Sequence, residues 1–495
     1  MKRILSAIVL AVLLPSACAP APTATPFSPR TPTAVRTETV SPTATATLTT
    51  IPTETPTATP TKTPTPTPAS TISLEGLTGV PYPKNEDLKF AIQTYAKAMG
   101  LETEKVQSGV VYKTFKDYQG TPFVAAVVQD DTPLLIAFRD SKTGEFTWQQ
   151  ASLKGLVRTF RPDLEISHAF TEEKELWSDT QYLDILNKDF DTVELTSSVG
   201  WKWFEPEPGK FNQFMLADTK RQLEVFKGFT NTTIFKRVHA LVWADQEPTW
   251  LLPGTYTHDQ AIKALQDHIK TVMALFNGTT AHEWIVVNEP YFKATKSEYG
   301  FDYTRTDALH DIVGPEYIEI AFQAAREIDP TGVLIYNDTS NNSLNKRDTK
   351  NSLYTGVTQA NVNRLKPKGL IDGVGMQMHL DATDPPNEDD LIRTMQSYGV
   401  PVYVTEMDVD LSNLGGTEQE RLAKQADIYA SVLRAALKSG VCKSFGFYDM
   451  GDKYSWLIKY QNKPQSAEPT LFDDDFNPKP AYYALLRVLL SQSRQ

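Results

Sequence analysis

From about residue 156 onward, short strand-like runs alternate with long amphipathic stretches, a grammar that few folds accept. The strand candidates are LEISHAF, TVEL, FKRVHALVW, HEWIVVNEP, GVLIYND, GVGMQMH, VPVYVTEMD and CKSFGFYD. Between them lie stretches such as DQAIKALQDHIKTVMALF and EQERLAKQADIYASVLRAALKSG, whose apolar residues recur at helical spacing. Strands that alternate with helices suit parallel pairing in an α/β fold. Eight such units predict a (β/α)8 TIM barrel over 156–495, with some enlarged loops.

In such a barrel the chemistry gathers at the C-terminal ends of the strands. Those ends carry His239 to Trp243, Asn288-Glu289, Asn337-Asp338, Gln377 with His379, Glu406 with Asp408, and Tyr448-Asp449. Plain punctuation would place Gly, Pro and Ser there. Glu406 and Asp408 are two apart in a strand and point the same way, and Gln377 and His379 share that spacing. Glu289 on the fourth strand and Glu406 on the seventh then face each other across the barrel mouth. A protonated carboxyl donating to a leaving oxygen, opposite an ionised carboxylate attacking an anomeric carbon, is the constellation for glycoside cleavage. The bland alternative, two structural ion pairs, explains this position poorly. In a regular strand Asn288 and Glu289 point to opposite faces. Using both requires an irregular strand end, which Pro290 permits.

HALVWADQEPTW, WIVVNE, GMQMHL, VYVTEMDV, GDKYSWL and LFDDDFNPKPAYYALL occur in this order. Together they resemble the motifs of glycoside hydrolase family 10, the endo-β-1,4-xylanases. The resemblance implies that Glu289 is the general acid/base and Glu406 the nucleophile. It implies that Asn288 contacts a sugar 2-hydroxyl, that His379 hydrogen-bonds Glu406 and that Asp408 supports His379. His239, Trp243, Gln246 and Gln377 would line the sugar sites, with Tyr448 and Trp456 as wall. The sequence also departs from the pattern. Ile285 stands in place of an Asp, Ala244 of a His, Thr339 of a Tyr and Tyr448 of a Trp. The Glu, Asn and Lys of the family's second-strand region fall on Thr196, Ser197 and Gly200.

The implied function is a retaining, xylan-cleaving glycosidase that needs no cofactor. Competing readings are a retaining glycosidase for another β-glycan and a non-catalytic carbohydrate-binding barrel. Retention of both Glu and of His379 weighs against the latter. No metal is expected, because none of the seven His forms an H-x-H or H-x-x-x-H pair. A formal net charge of −11 argues against a nucleic-acid partner.

The N-terminus follows a separate logic. In MKRILSAIVLAVLLPSAC, Lys2 and Arg3 precede a short apolar core from Ile4 to Leu14. This is the layout of a signal peptide over 1–17. Its ending resembles a bacterial lipoprotein cleavage site, implying a lipid on Cys18 and a membrane link through that anchor alone. The chain is thus expected to be exported, either as a cell-surface lipoprotein or as a secreted protein. Residues 18–72, almost all Thr, Pro and Ala, read as a disordered linker. Residues 73–155 read as a small α+β domain, a helix in NEDLKFAIQTYAKAMG followed by an antiparallel meander, with no motif that carries chemistry. The only other cysteine, Cys442, lies in an apolar run and is expected to be buried and inert.

Overall fold

A computed structural model describes residues 71–493 apart from 75–76, 197–198, 230–232, 291, 295–302, 306–307 and 348, with backbone alone at 292–294, 303–305 and 349. The signal peptide, Cys18, the linker up to residue 70 and Ser197 lie outside the described residues.

Eight parallel strands close into a barrel. They are β1 (Glu165–Ala169), β2 (Thr192–Leu195), β3 (Ile234–Trp243), β4 (Glu283–Asn288), β5 (Val333–Asp338), β6 (Gly373–Met376), β7 (Val402–Asp410) and β8 (Cys442–Phe447). Each pairs with the next, and β8 pairs back onto β1. The sixth strand breaks after β6 and resumes over His379–Asp381, still paired with β7. Eight helices cover the outside: α1 (Thr180–Asp189), α2 (Gln213–Phe226), α3 (His258–Ala274), α4 (Tyr317–Ile328), α5 (Thr349–Leu365), α6 (Glu388–Ser397), α7 (Glu418–Ser439) and α8 (Pro480–Leu490).

Local sequence explains these elements. Capping boxes start α3 (Thr257 with Gln260) and α7 (Thr417 with Glu420), satisfying backbone N–H groups that have no partner inside the helix. Gly440, at φ +70°, ends α7 in the left-handed conformation that costs a glycine nothing. Every residue of β4 and β7 is buried, because helices cover one face and the barrel interior takes the other.

The interior is only partly apolar. Ala240, Ile285, Ile335 and Tyr403 form one cluster. Beside it the guanidinium of Arg237, fully buried, donates to Glu283 on β4 at 2.9 Å and to Glu194 on β2 at 3.0 Å. It also reaches Ser167 on β1 and lies over the Tyr403 ring on β7. Only a side chain inside the barrel spans those four strands.

Upstream, a hairpin pairs Thr71–Leu74 with Leu77–Pro81. A helix over Asn85–Met99 and a four-stranded antiparallel meander over 111–150 follow. The hairpin starts inside the stretch read as linker, with Ile72 buried beneath Val124 and Phe146. Trp148 is half-buried and its Nε1 donates to the Pro81 carbonyl at 2.7 Å. Tyr95 packs edge-on to Tyr483 of α8, with ring centroids 4.9 Å apart, so this region shares a core with the barrel. Cys442 is buried, and burial pushes its thiol up to about 11.

Candidate active site

Glu406, on β7, is 5% exposed and held on both oxygens. His379 Nε2 lies 3.2 Å from its Oε2, and Asn337 Nδ2 donates to its Oε1 at 2.6 Å. His239 Nε2 approaches the same Oε1 at 3.7 Å. Burial by itself would raise this carboxyl, but His239, His379 and Asn337 outweigh it and hold Glu406 below the ordinary carboxylate range. The other nitrogen of His379 lies 2.8 Å from Asp408 Oδ2, which also accepts from Trp456 Nε1 at 2.7 Å. Burial works against a charged imidazole here as well. Asp408 and Glu406 overcome it and raise His379 well above its ordinary value. The two-residue spacing on β7 thus presents both carboxylates to one histidine.

Glu289 follows β4 directly. The register of β4 slips against both neighbours between Ile285 and Val287. Glu289 itself sits at φ +46°, a left-handed conformation unusual for a residue with a Cβ. This is the irregular strand end that the Asn288-Glu289 pair required. Gln377 Nε2 is 2.8 Å from Glu289 Oε1 and 3.2 Å from Asn288 Oδ1, so the two neighbours turn to one amide. Asn288 Oδ1 in turn accepts from Asn337 at 2.8 Å. A continuous chain, Glu289–Gln377–Asn288–Asn337–Glu406, joins the two glutamates. Backbone bonds fix the same strand ends: Glu289 N to Asn337 O (3.0 Å), Gln377 N to Asp338 O (3.2 Å) and Glu406 N to Gln377 O (3.0 Å).

Around this centre, Tyr448 stands edge-on to His379 with centroids 5.6 Å apart, and Trp456 lies 4.8 Å from the same ring. Thr196, Glu172, Tyr448, Asp449 and Trp456 line one small pocket beside it. Burial pushes the Asp449 carboxyl up to about 7, although it accepts the Trp456 N–H. Trp243 ends β3 beside Asn288, and Gln246 lies on the turn Ala244–Gln246 that follows. Thr339 follows β5, where its N–H donates to Asp338. Gly200 immediately precedes a short helix, Trp201–Phe204.

Three residues were given no role from the sequence. Asn337 was visible as a polar strand end. Glu194 and Arg237 were visible as charges inside otherwise apolar strands, and Arg237 shares the two-residue period of His239. Among the described residues, no group of three or more His, Cys, Asp or Glu is arranged to hold a metal ion.

The sequence profile of glycosyl hydrolase family 10 matches residues 158–488. The chain belongs to that family. Among relatives, the endo-1,4-beta-xylanase B of Thermotoga neapolitana is 29% identical over 340 residues, covering 67% of this chain and 91% of the relative. The beta-1,4-xylanase of Dictyoglomus thermophilum is 30% identical over 317 residues, 62% of this chain and 84% of that one. Among solved structures, native xylanase 10B of Thermotoga maritima superposes with a TM-score of 0.58 at 31% identity, covering 68% of this chain and 98% of that one. Xylanase 10B of Thermotoga petrophila, solved in complex with xylobiose, gives 0.57 at 31% identity, with 69% and 98% covered. The chain is therefore a family 10 glycoside hydrolase, and the paired glutamates lie inside the matched region.

Proposed function

We propose that this protein is a retaining endo-β-1,4-xylanase acting on xylan-type polysaccharide. The observation that carries the reading is the hydrogen-bonded chain from Glu289 to Glu406 at the mouth of a family 10 barrel. Glu289, as its carboxylic acid, protonates the glycosidic oxygen while ionised Glu406 attacks the anomeric carbon. The C–O bond breaks and a glycosyl-enzyme ester forms on Glu406. The Glu289 carboxylate then takes a proton from water as that water attacks the same carbon, releasing Glu406. Asn288, at the end of β4, is placed to meet a hydroxyl of the sugar being cleaved. The relatives named xylanases and the xylobiose complex support the choice of glycan.

The departures at Thr196 and Tyr448 favour a second reading within the same chemistry, a decorated xylan or another β-glycan. Tyr448 is smaller than Trp, and Thr196 replaces a charged partner for the sugar beyond the cleaved one. Hydrolysis of a panel of linear xylan, decorated xylan and β-glucans, followed by NMR of the first product anomer, tests both. Retained configuration with xylan cleavage is expected. An inverted first product would reject the two-glutamate assignment, and exclusive β-glucan cleavage would reject xylan.

We also propose that the chain is exported and tethered to a membrane through lipid on Cys18. The layout of residues 1–18 supports this, and the Thr/Pro-rich stretch after Cys18 would hold the barrel away from the surface.

A further inference from the structure

Beneath the nucleophile lies a row of charges that the hydrolytic steps do not use. Glu194, on β2, has no solvent exposure, and its Oε2 accepts from Arg237 at 3.0 Å. Its Oε1 faces His239 Nδ1 at 3.6 Å, and neither of those two atoms has a hydrogen-bond partner among the described residues. His239 Nε2 faces Glu406 Oε1 at 3.7 Å. Arg237 is held from its other side by Glu283 at 2.8 Å. The charged groups facing His239 are thus Glu194 from β2, Glu406 from β7 and Arg237 from its own strand; Glu283 of β4 faces Arg237.

We propose that Glu194 is a positioning residue for the nucleophile: anchored by Arg237, it clamps His239 so that a cationic imidazole stays turned toward Glu406 throughout the catalytic cycle. The inference rests on the reading of Glu406 as the nucleophile. Its physical basis is charge balance in a buried site. When Glu406 attacks, it becomes a neutral ester and ceases to be a counter-ion for His239. A buried imidazolium without a partner would shed its proton, and the next cycle would begin with a neutral ring beside the carboxylate. Glu194 supplies a carboxylate that is never esterified, on the far side of the ring. Arg237, shared with Glu283, anchors that carboxylate in place.

Glu194→Gln keeps the shape, and Arg237 retains Glu283 as its partner. The acid limb of kcat/KM against pH on an uncharged aryl glycoside reads the ionisation of Glu406 in the free enzyme. We expect the limb to move up by about 1 pH unit in Glu194→Gln, because His239, left with Glu406 as its one facing carboxylate, holds its proton less firmly and stabilises ionised Glu406 less. Imidazole nitrogen NMR should show His239, assigned through its loss in His239→Gln, doubly protonated at pH 7 in the native protein both free and as its 2-fluoro glycosyl-enzyme, and neutral in the glycosyl-enzyme of Glu194→Gln. An unmoved or lowered acid limb, or a neutral His239 in the native glycosyl-enzyme, overturns the proposal. If Glu194→Gln does not fold, the native ring decides alone. Trapping the glycosyl-enzyme with a 2-fluoro sugar and mapping the label separates the two failures. A label on Glu406 with an unmoved limb refutes the role of Glu194 alone, and a label elsewhere refutes the nucleophile.

Discussion

Asn337 Nδ2 stands 2.6 Å from Oε1 of Glu406. Its amide is fixed from two other sides, donating to Asn288 Oδ1 at 2.8 Å and accepting at Oδ1 from Thr405 Oγ1 at 2.8 Å. A hydrogen bond to a charged group is worth about 1.5–3 kcal/mol. Asn337→Ala is therefore expected to lower kcat/KM by roughly ten- to a hundredfold, measured by steady-state kinetics. A native kcat/KM in that variant would remove Asn337 from the site.

The two glutamates should fail differently. Glu406→Ala abolishes turnover of every substrate, because no ester can form. Glu289→Ala spares the first step for aryl glycosides whose leaving group needs no proton, and slows the second. Added azide should then restore turnover and yield a glycosyl azide of retained configuration. Equal loss in both variants without rescue would contradict the division of roles.

Stability should follow the Glu406–His379 pair. Glu406 is lowered on folding, so its contribution is present above its ordinary 4.5 and is lost as pH falls through the folded value. His379 is raised, so its contribution is full below its ordinary 6.5 and is lost as pH rises through the folded value. Both are complete only between those two ordinary values. Changing His379→Gln should therefore cost most Tm, in a thermal melt series, inside that window. A loss that is flat with pH would count against a charged pair.

Gly375, on β6, makes room for the active-site amide, since a Cβ there would collide with the Asn337 side chain. Gly375→Ala should lower kcat/KM along with Tm, with a stability cost of about 1–3 kcal/mol from overpacking. Gly356 lies inside α5 with nothing within 4 Å of an added Cβ. Gly356→Ala should instead raise stability by about 0.5–1 kcal/mol and leave kinetics unchanged. Denaturant melts and kinetics on the two variants separate a functional glycine from an incidental one.

Attachment is tested by fractionation. Cys18→Ala should move the protein from membranes to the medium, or block processing, if Cys18 carries lipid. Unchanged fractionation together with an unlipidated mature N-terminus would refute the anchor.

The barrel and the two glutamates were legible in the sequence because both are local signals. Apolar runs such as WIVVN report burial on two faces within one strand. A two-residue spacing such as Glu406 and Asp408 reports a shared direction without reference to any other strand. What happens between strands was not legible. The turn that brings Glu289 onto the same side as Asn288 depends on a register slip against both neighbouring strands. The amide bridge of Asn337 joins residues 49 and 69 positions away in the chain. Arg237, as a residue type, would ordinarily be assigned to a surface. It is buried because barrel closure brings Glu194 and Glu283 to it at 3.0 and 2.8 Å, a coincidence of three strands that no single stretch encodes. Sequence periodicity determined which side chains point inward. The closure and register of the barrel decided which of them meet.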